Sequence, residues 1–476
     1  MAIKLNYKAL LFKKPELTLL ALFIFTRFFS LFTYNHSFLN GIVTLLIIVL
    51  FIYVCIKNLS LAWLILVAEL LLDGAGHFFE FKHLILRTWF LGIFAMFWLY
   101  KKIKERRLEI LLPRPLVISL VILIIVIFWS ILQGFIQQHT TLYILQDAIL
   151  YFFILLFLPA LEFDSPSNKQ FFNIIKVFII GTAFFSIITF FIYATGLGVL
   201  KDIYYHWFRN IVAGKITDLG QNFFRIVLPE QLFVVPLILV LASKLIKENK
   251  NKLIWFLIIL LLTILILNFS RIYFVALAFG MIVLAYKNSF KEWLRISVLL
   301  LLSSIIIFVS LNLLVSKGHS WGGQILGVKI SGATAPEAEL SGAIRLAMLP
   351  DIFNTIKKHP FLGSGLGTTV SYADPLTKEI VTRTQFDWGY LEMWAELGLA
   401  GLIGFFSYIF ILLFYLFKIT YSSKENDNRG FLQGLFAGAL SFFVINITTP
   451  ALFQGFGILY FVFLLTLINN SKKEIL

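Results

Sequence analysis

Five arginines lie in or beside the polar segments that separate long apolar runs, and they are candidates for binding an anion. A guanidinium group stays charged and binds phosphate oxygens through two parallel hydrogen bonds, which suits a diphosphate. Alternatively, these side chains snorkel, or pair with loop carboxylates such as Glu230, Glu337 or Asp374. The five arginines are Arg209, Arg225, Arg271, Arg345 and Arg383.

A carboxylate, Asp387, opens a long apolar segment and is the candidate general base for a sugar hydroxyl. The competing interpretation is a helix N-cap, where the helix dipole favours aspartate. Glu392 shares its helix face approximately and is expected to order it. Glu396 lies nine residues beyond Asp387, or ~14 Å along a helix. Within a membrane it needs a partner, and Arg27 is one candidate.

Aromatic residues surround these acids. Trp388, Tyr390 and Trp394 fit a belt at the membrane–water interface, with sugar stacking as the alternative interpretation. We therefore treat Tyr390, like Glu392 and Glu396, as a candidate substrate-binding residue.

Arg345 is predicted in the first turn of an amphipathic helix that runs from Ser341 to Lys358. Its apolar side chains recur every four residues, at Ile344, Met348, Ile352 and Ile356. Ser341 is the predicted cap, and Pro350 is expected to bend or restart the helix. The helix is expected to lie on the membrane surface or on the mouth of a helix bundle. The glycine run 363–367 follows; it could approach an anion, but a flexible turn is the preferred interpretation.

The elements that must position these residues are membrane-spanning helices. Hydrophobic residues make up 60% of the 476 residues, charged residues 14%, and the mean hydropathy is +0.91, which excludes soluble, fibrous and disordered proteins. The apolar runs are continuous, which favours helices over barrel strands. Fourteen spans are predicted: 16–34, 38–56, 60–76, 84–100, 115–133, 142–161, 171–195, 226–243, 253–269, 272–286, 296–315, 388–417, 431–448 and 452–470.

The basic residues predict the orientation of these spans. About 25 of the 40 Lys and Arg residues fall on one side if both termini are cytoplasmic. The net charge of +15 is therefore a topology signal, and nucleic acid is not an expected partner. The long second external loop is predicted to be functional. The predicted organisation is N-terminal helices 1–195, a first external loop 196–225, central helices 226–315, a large external loop 316–387 and C-terminal helices 388–476.

No metal or cofactor is predicted. The sequence has no Asp-x-Asp pair, its seven histidines are dispersed, and Cys55 is its single cysteine. The nearest external carboxylate pair, Glu337 and Glu339, is assigned to ordinary solvation of the loop. Arginines can stabilise a departing diphosphate without a metal.

Three segments, in order, make the chain resemble the O-antigen polymerase and ligase family. Asn268-Phe269-Ser270-Arg271 resembles the family's Ser-Arg hairpin, and Arg345 with His359-Pro360 and Gly363-Ser364-Gly365 resembles its loop arginine and following turn. The segment from Asp387 resembles the ligase pattern of His-Asn, nine residues, Gly, two residues, Gly. Gly398 and Gly401 fit this pattern. Asp387 and Trp388 replace the ligase His-Asn, which is closer to the polymerase branch.

The resemblance implies an all-α polytopic membrane glycosyltransferase with a GT-C-like architecture. It would polymerise undecaprenyl-diphosphate-linked repeat units into surface polysaccharide at the outer face of the bacterial cytoplasmic membrane. The expected catalytic residues are Asp387, Arg271 and Arg345, and the expected substrate-binding residues are Arg209, Arg225, Arg383, Glu392, Tyr390 and Glu396. The expected partners are the lipid-linked donor and acceptor glycans and the lipid bilayer, with a chain-length regulator and a flippase as further candidates.

Three questions stay open at this stage. Asp387 could act as a base, or a carboxylate could act as nucleophile in a retaining mechanism. Ligase-like transfer of the glycan to another acceptor is the first alternative function. The second is a transporter or flippase of lipid-linked sugars, although transporters usually bind their substrates near the bilayer midplane.

Overall fold

The computed structural model describes residues 15–73, 76–82, 84–106, 110, 112–163, 168–196, 198–247, 251–334, 340–422 and 426–473. Glu337 and Glu339 lie outside these ranges. Within them the chain is mainly helical. The first eight helices are α1 (Pro15–Thr33), α2 (Ser37–Lys57), α3 (Leu59–Leu72), α4 (Leu86–Glu105), α5 (Arg114–Ile136), α6 (Thr141–Phe152), α7 (Phe157–Glu162) and α8 (Asn168–Ala194).

The later helices carry most of the predicted site residues. They are α9 (Gly198–Asn210), α10 (Val234–Lys247), α11 (Lys252–Asn268), α12 (Arg271–Ala285), α13 (Phe290–Val315), α14 (Gly323–Thr334), α15 (Leu340–Lys358), α16 (Gly389–Ser422), α17 (Asn426–Ile445) and α18 (Gly455–Lys473). Single 3₁₀ turns, Phe153–Leu156 and Pro229–Phe233, lead into α7 and α10.

Three short antiparallel hairpins interrupt the helices. They are β1 (Glu80–Phe81) with β2 (Leu84–Ile85), β3 (Lys215–Asp218) with β4 (Phe224–Val227), and β5 (Val370–Ala373) with β6 (Ile380–Arg383). The sequence analysis did not predict these hairpins, which are two to four residues per strand.

Each of the fourteen predicted spans overlaps helix, the sixth being formed by α6, the 3₁₀ turn and α7 together. Two of them also include strand residues, namely β2 in 84–100 and the end of β4 in 226–243. Eight stretches of the described chain are long and apolar enough to cross a membrane, and several of the others are shorter apolar helices. The all-α class is therefore confirmed, and the long apolar helices indicate a membrane protein. The count of fourteen crossings and the GT-C-like arrangement stay predictions.

Two hydrophobic cores are separate in the structure. The larger core joins the apolar helices, and a smaller one lies within residues 340–397, which we call the α15 lobe. The lobe core consists of Met348, Ile352, Ile356, Val370, Tyr372, Phe386 and Ala395. The apolar face predicted for α15 is thus confirmed, and it packs on protein.

One local expectation for α15 is wrong. The helix begins at Leu340, so Ser341 lies inside its first turn and is not the cap. Pro350 lies within a continuous helix that ends at Lys358, so it does not restart the helix, and the alternative, a bend at Pro350, stays a prediction. The termination of the helix before His359-Pro360 is as predicted.

Candidate active site

The hairpin β3–β4 presents two cations on one face. Phe224 and Ile226 point into the main core, so the alternate residues of β4 point outward. Thr217 pairs directly with Arg225, and Lys215 lies two residues before Thr217 on the same face. The alternation of strand side chains therefore places Lys215 beside Arg225.

Lys215 is the centre of a group of charges drawn from four segments of the chain. Partial desolvation lowers the pKa of Lys215, the charge of Asp387 raises it, and the charges of Arg209, Arg383 and Arg225 lower it. These four predicted site residues therefore lie within electrostatic reach of one ammonium group. We call Arg209, Lys215, Arg225, Arg383 and Asp387 the cation cluster. The sequence analysis missed Lys215.

Asp387 sits at the open side of this cluster. Its Oδ2 lies 4.0 Å from a guanidinium nitrogen of Arg383, and the two side chains are 35% and 38% exposed. Arg383 also lies over the ring of Tyr372, 5.4 Å from its centroid. Because α16 begins at Gly389 and Asp387 has a left-handed φ of 56°, Asp387 is not the helix cap. Its carboxylate is left available for chemistry.

Glu392 holds the chain next to Asp387. Its Oε2 accepts a hydrogen bond of 3.0 Å from the backbone N–H of Phe386, and its side chain is buried. This bond agrees with the expected ordering role of Glu392. The carboxylate is closed off from solvent, and the role of Glu392 in substrate binding stays a prediction.

Glu396 has a different partner from the one predicted. It is buried, and its carboxyl group lies within hydrogen-bonding reach of Asp147 on α6, whose Oδ2 accepts from the N–H of Gly367 at 2.9 Å. Arg27 instead pairs with Glu230, at 3.4 Å. The predicted Arg27–Glu396 pair is therefore wrong, and Glu230 is not a partner for the cluster arginines.

The glycine run after α15 joins three helices. Amides of Ser364 and Gly365 donate to the carbonyls of Ala395 and Glu396 (2.7 and 3.0 Å), and that of Leu366 donates to Ser130 at 2.9 Å. These amides are thus used inside the protein, in agreement with the turn interpretation over the anion-binding one.

A break in α16 makes this packing possible. Gly398 has a φ of 68° inside the helix, and an added Cβ there would lie 2.3 Å from the amide nitrogen of Gly363. Gly363 itself has a φ of 74°, and a Cβ on it would lie 2.2 Å from the carbonyl oxygen of Glu396. The close approach of two backbones therefore requires glycine at both positions.

Arg345 lies next to the segment that carries Asp387. Its carbonyl accepts a hydrogen bond of 3.0 Å from the indole N–H of Trp388. The Nε of Arg345 is buried and has no hydrogen-bond partner among the described residues. A buried guanidinium nitrogen without an acceptor is costly unless a ligand supplies one.

Arg271 begins α12, directly after a break in the helical path. Phe269 has a left-handed φ of 47°, which separates α11 from α12 at the predicted Ser-Arg hairpin. A guanidinium nitrogen of Arg271 donates to the carbonyl of Lys329 on α14 at 2.8 Å. Arg271 therefore ties the hairpin to the large loop.

A buried amide pair supports Arg225 and lies at the break that precedes Arg271, and the sequence analysis missed it. The side chains of Asn268 and Gln231 are hydrogen-bonded to each other, and the Nε of Arg225 donates to the backbone carbonyl of Asn268 at 2.6 Å. Gln231 also accepts from the N–H of Leu228 at 3.1 Å. The pair therefore fixes the end of β4 to the α11–α12 break.

The three aromatic side chains have internal partners. The hydroxyl of Tyr390 donates to the carbonyl of Phe443 at 2.7 Å, and its ring lies against Phe406. The indole of Trp394 donates to the carbonyl of Pro360 at 3.0 Å. The proposed contact between Tyr390 and sugar stays a prediction, because the structure shows its hydroxyl engaged by a neighbouring helix.

The family model described as O-antigen ligase matches residues 256–406, which include Arg271, Arg345 and Asp387. This match confirms, over residues 256–406, the resemblance to the O-antigen polymerase and ligase family that the sequence motifs indicated. No match was found among curated proteins. The family match and the long apolar helices together indicate a membrane protein that processes glycans. No group of three metal-ligating side chains is close enough to hold a metal ion in the part of the chain that the structure describes.

Proposed function

We propose that this protein polymerises undecaprenyl-diphosphate-linked repeat units at the outer face of the bacterial cytoplasmic membrane. The observation that carries the proposal is the cation cluster. Four cations and one carboxylate, from distant parts of the chain, give it a formal charge of +3. A diphosphate gains negative charge as the bond to its sugar breaks, so a fixed positive site stabilises the departing group.

In the proposed reaction, a hydroxyl of the acceptor repeat unit attacks the anomeric carbon of the donor glycan. Asp387 accepts the hydroxyl proton as the new glycosidic bond forms. The old bond between the anomeric carbon and phosphate oxygen breaks, and its electron pair leaves with the lipid diphosphate. Lys215, Arg383 and their neighbours in the cluster bind that diphosphate.

Arg345, from the large loop, and Arg271, from the start of α12, are assigned to the same anion. The support for Arg345 is its buried Nε without an acceptor, together with its contact to Trp388 beside Asp387. The support for Arg271 is its bond to Lys329 on α14 and its position three residues after Asn268 of the amide pair. Both would grip phosphate oxygens through paired hydrogen bonds.

The test is elongation by the purified protein supplied only with lipid-linked repeat units. A ladder of longer lipid-linked products is expected. Arg271→Ala, Arg345→Ala and Asp387→Asn should each abolish the ladder while the protein stays folded and inserted. Arg295→Ala is the matched control, because Arg295 is exposed on α13 and pairs locally with Glu292. Normal elongation by all three site variants would refute the proposed site.

Ligase-like transfer is the second candidate function, and the description of the matching family model favours it. In that case the repeat units alone would give no longer products. Adding a foreign acceptor, such as a lipid core, would then produce a labelled conjugate. Longer products from the repeat units alone indicate a polymerase, and product only when a foreign acceptor is added indicates a ligase.

A further inference from the structure

The expected membrane-facing stripe of α15 is buried in the lobe core, and a different surface of the helix is left exposed. Phe353 is 44% exposed, and Phe361 and Leu362, just beyond the helix, are 68% and 50% exposed. Lys357 and Lys358 are exposed between them. We call these five residues the α15 patch.

The α15 patch is attached to the break in α16. The carbonyls of Pro360 and Phe361 accept hydrogen bonds of 3.0 Å from the amides of Leu399 and Ala400, the first residues after Gly398. The helix beyond the break, 399–422, is about 36 Å long at 1.5 Å per residue. This length is sufficient to cross a hydrocarbon core of ~30 Å, so the patch lies at one end of a membrane-length segment.

The patch also continues an apolar stripe of that segment. The exposed apolar side chains of α16 after the break recur at helical spacing on one face, as expected for a lipid-facing surface. They are Leu399, Ile403, Phe410 and Phe414. Leu399 begins the stripe, and its amide is bonded to the turn that carries Phe361.

The chemistry of the patch fits the headgroup region of a bilayer. Aromatic and aliphatic side chains enter the boundary of the acyl chains, while lysines meet lipid phosphates. Anionic lipids attract such lysines to the bilayer surface. Asp351, the only acid within 351–362, accepts a hydrogen bond from the N–H of Ser371, and the two lysines outnumber it, so the net charge of this stretch is positive.

We propose that the α15 patch is a membrane anchor that binds the lipid headgroup layer and holds the α15 lobe on the bilayer surface. The lobe carries Arg345, Arg383 and Asp387, so the anchor fixes their height above the hydrocarbon. The proposal concerns the bilayer as partner and holds whether the enzyme polymerises glycans or transfers them to another acceptor.

The test measures the depth of a spin label in protein reconstituted in vesicles of phosphatidylglycerol and phosphatidylethanolamine. Cys55 is the single cysteine, so Cys55→Ala provides a background for labelling at Leu362→Cys or Phe353→Cys. The matched control is Leu376→Cys, in the turn between β5 and β6, where the side chain is 70% exposed. A spin label at the patch should collide more often with oxygen, which concentrates in the bilayer, than with a water-soluble nickel chelate. A label at position 376 should collide more often with the nickel chelate.

Two positions in the patch guard against a variant that fails to fold. The proposal would be overturned if the nickel chelate reached the labels at positions 353 and 362 as readily as the label at 376. It would also be overturned if the label at 376 were shielded from nickel as strongly as the two patch labels. The contribution of charge is tested by comparing vesicles that contain phosphatidylglycerol with vesicles of phosphatidylcholine. The anionic lipid should reduce access of the nickel chelate to the spin label at the patch, and Lys357→Gln/Lys358→Gln should lose this reduction. No dependence on lipid charge in the parent protein would overturn the role of the lysines.

Discussion

Two of the charged groups that contain arginine differ in how their charges are balanced. Arg27 is buried, donates to Glu230 and to the carbonyl of Leu72, and interacts electrostatically with Asp73 and Glu69. Its guanidinium also lies 3.6 Å from the centroid of the Phe23 ring. In the cation cluster, by contrast, cations outnumber carboxylates and the side chains of Arg383 and Asp387 are open to solvent.

The difference separates a structural use of arginine from a binding use. The charge of Arg27 is balanced by the buried Glu230 and is not available to a ligand, even though its Nε, like that of Arg345, has no hydrogen-bond partner among the described residues. Removing one member of such a pair leaves the other uncompensated. Like charges held together at a surface cost stability, but they concentrate a positive potential that attracts an anion. We therefore expect substitutions in the first group to change stability and those in the cation cluster to change activity.

The largest effect should come from Asp387→Asn. If Asp387 accepts the hydroxyl proton, the amide cannot replace it, and the elongation rate should fall by about 10³-fold. The thermal midpoint should be nearly unchanged, because the carboxylate is partly exposed and 4.0 Å from Arg383. The initial rate with purified protein is the measurement. Asp374→Asn, in an exposed turn of the same lobe, is the control and should keep the parent rate.

A loss of less than about tenfold in Asp387→Asn would contradict the role of base, since general bases contribute at least ~10²-fold. Such a result would also remove the main chemical difference between the cation cluster and the buried charges around Arg27.

Much of the helical framework was predictable because it depends on local pattern. Continuous apolar runs located the helical segments, and the four-residue repeat from Ile344 to Ile356 gave the buried face of α15. The break before Arg271 was also predictable, since Ser270 and Arg271 interrupt an otherwise continuous apolar stretch. In these cases, short-range periodicity and polarity decide the structure.

Partners distant in sequence were not predictable. Arg27 and Glu230 are 203 residues apart, and nothing local distinguishes Glu230 from Glu396 as the partner. Asp147 was overlooked because a single acid in an apolar run gives no sign of what it meets. Long-range pairs depend on how the helices pack, which periodicity alone does not specify.

Lys215 did have a usable signal. Lys215-Ile216-Thr217 and Phe224-Arg225-Ile226 each alternate apolar and polar residues, and Gly220 lies between them. Such a pattern predicts a hairpin, and a hairpin would have placed Lys215 near Arg225. The sequence analysis predicted only an external loop over 196–225 and no strand within it, so Lys215 was left out of the site.

The second effect, on stability, should come from Arg27→Met. Removing the guanidinium leaves Glu230 buried without its cation, so the free energy of unfolding should fall by about 3 kcal/mol. Thermal unfolding in detergent is the measurement. Activity per folded molecule should be unchanged, in contrast to Asp387→Asn.

The double variant Arg27→Met/Glu230→Met is the control for this prediction. It removes both charges and should recover much of the lost stability. If the double variant is as unstable as Arg27→Met, lost packing and not the uncompensated charge is the cause.

A smaller effect should come from Asn268→Leu, which tests whether the buried amide pair acts through Arg225. The substitution removes the side-chain bond to Gln231 but keeps the backbone carbonyl that Arg225 binds. We expect about a tenfold loss of kcat/KM, because a displaced arginine binds the diphosphate less well. In an Arg225→Ala background the same substitution should cause little further loss.

Additive losses in the two backgrounds would mean that Asn268 does not act through Arg225. Stability provides the internal comparison, since Asn268→Leu should lower the thermal midpoint equally in both backgrounds. If the loss of kcat/KM does depend on Arg225, the amide pair is buried, as Arg27 is, but it affects activity through the cation cluster.

The smallest effect should come from Lys215→Gln, and its two parts should have opposite signs. Loss of one cation should reduce elongation about fivefold, while removing a partly desolvated charge next to three arginines should raise the thermal midpoint slightly.

Because desolvation lowers the pKa of Lys215 in the folded state, the charged lysine costs stability at neutral pH. That cost disappears as pH rises toward the ordinary lysine value of about 10.4. The gap in midpoint between variant and parent should therefore narrow at alkaline pH. Lys291→Gln, on an exposed turn of α13, is the control and should show neither change. If Lys215→Gln is less stable than the parent, Lys215 is paired as Arg27 is.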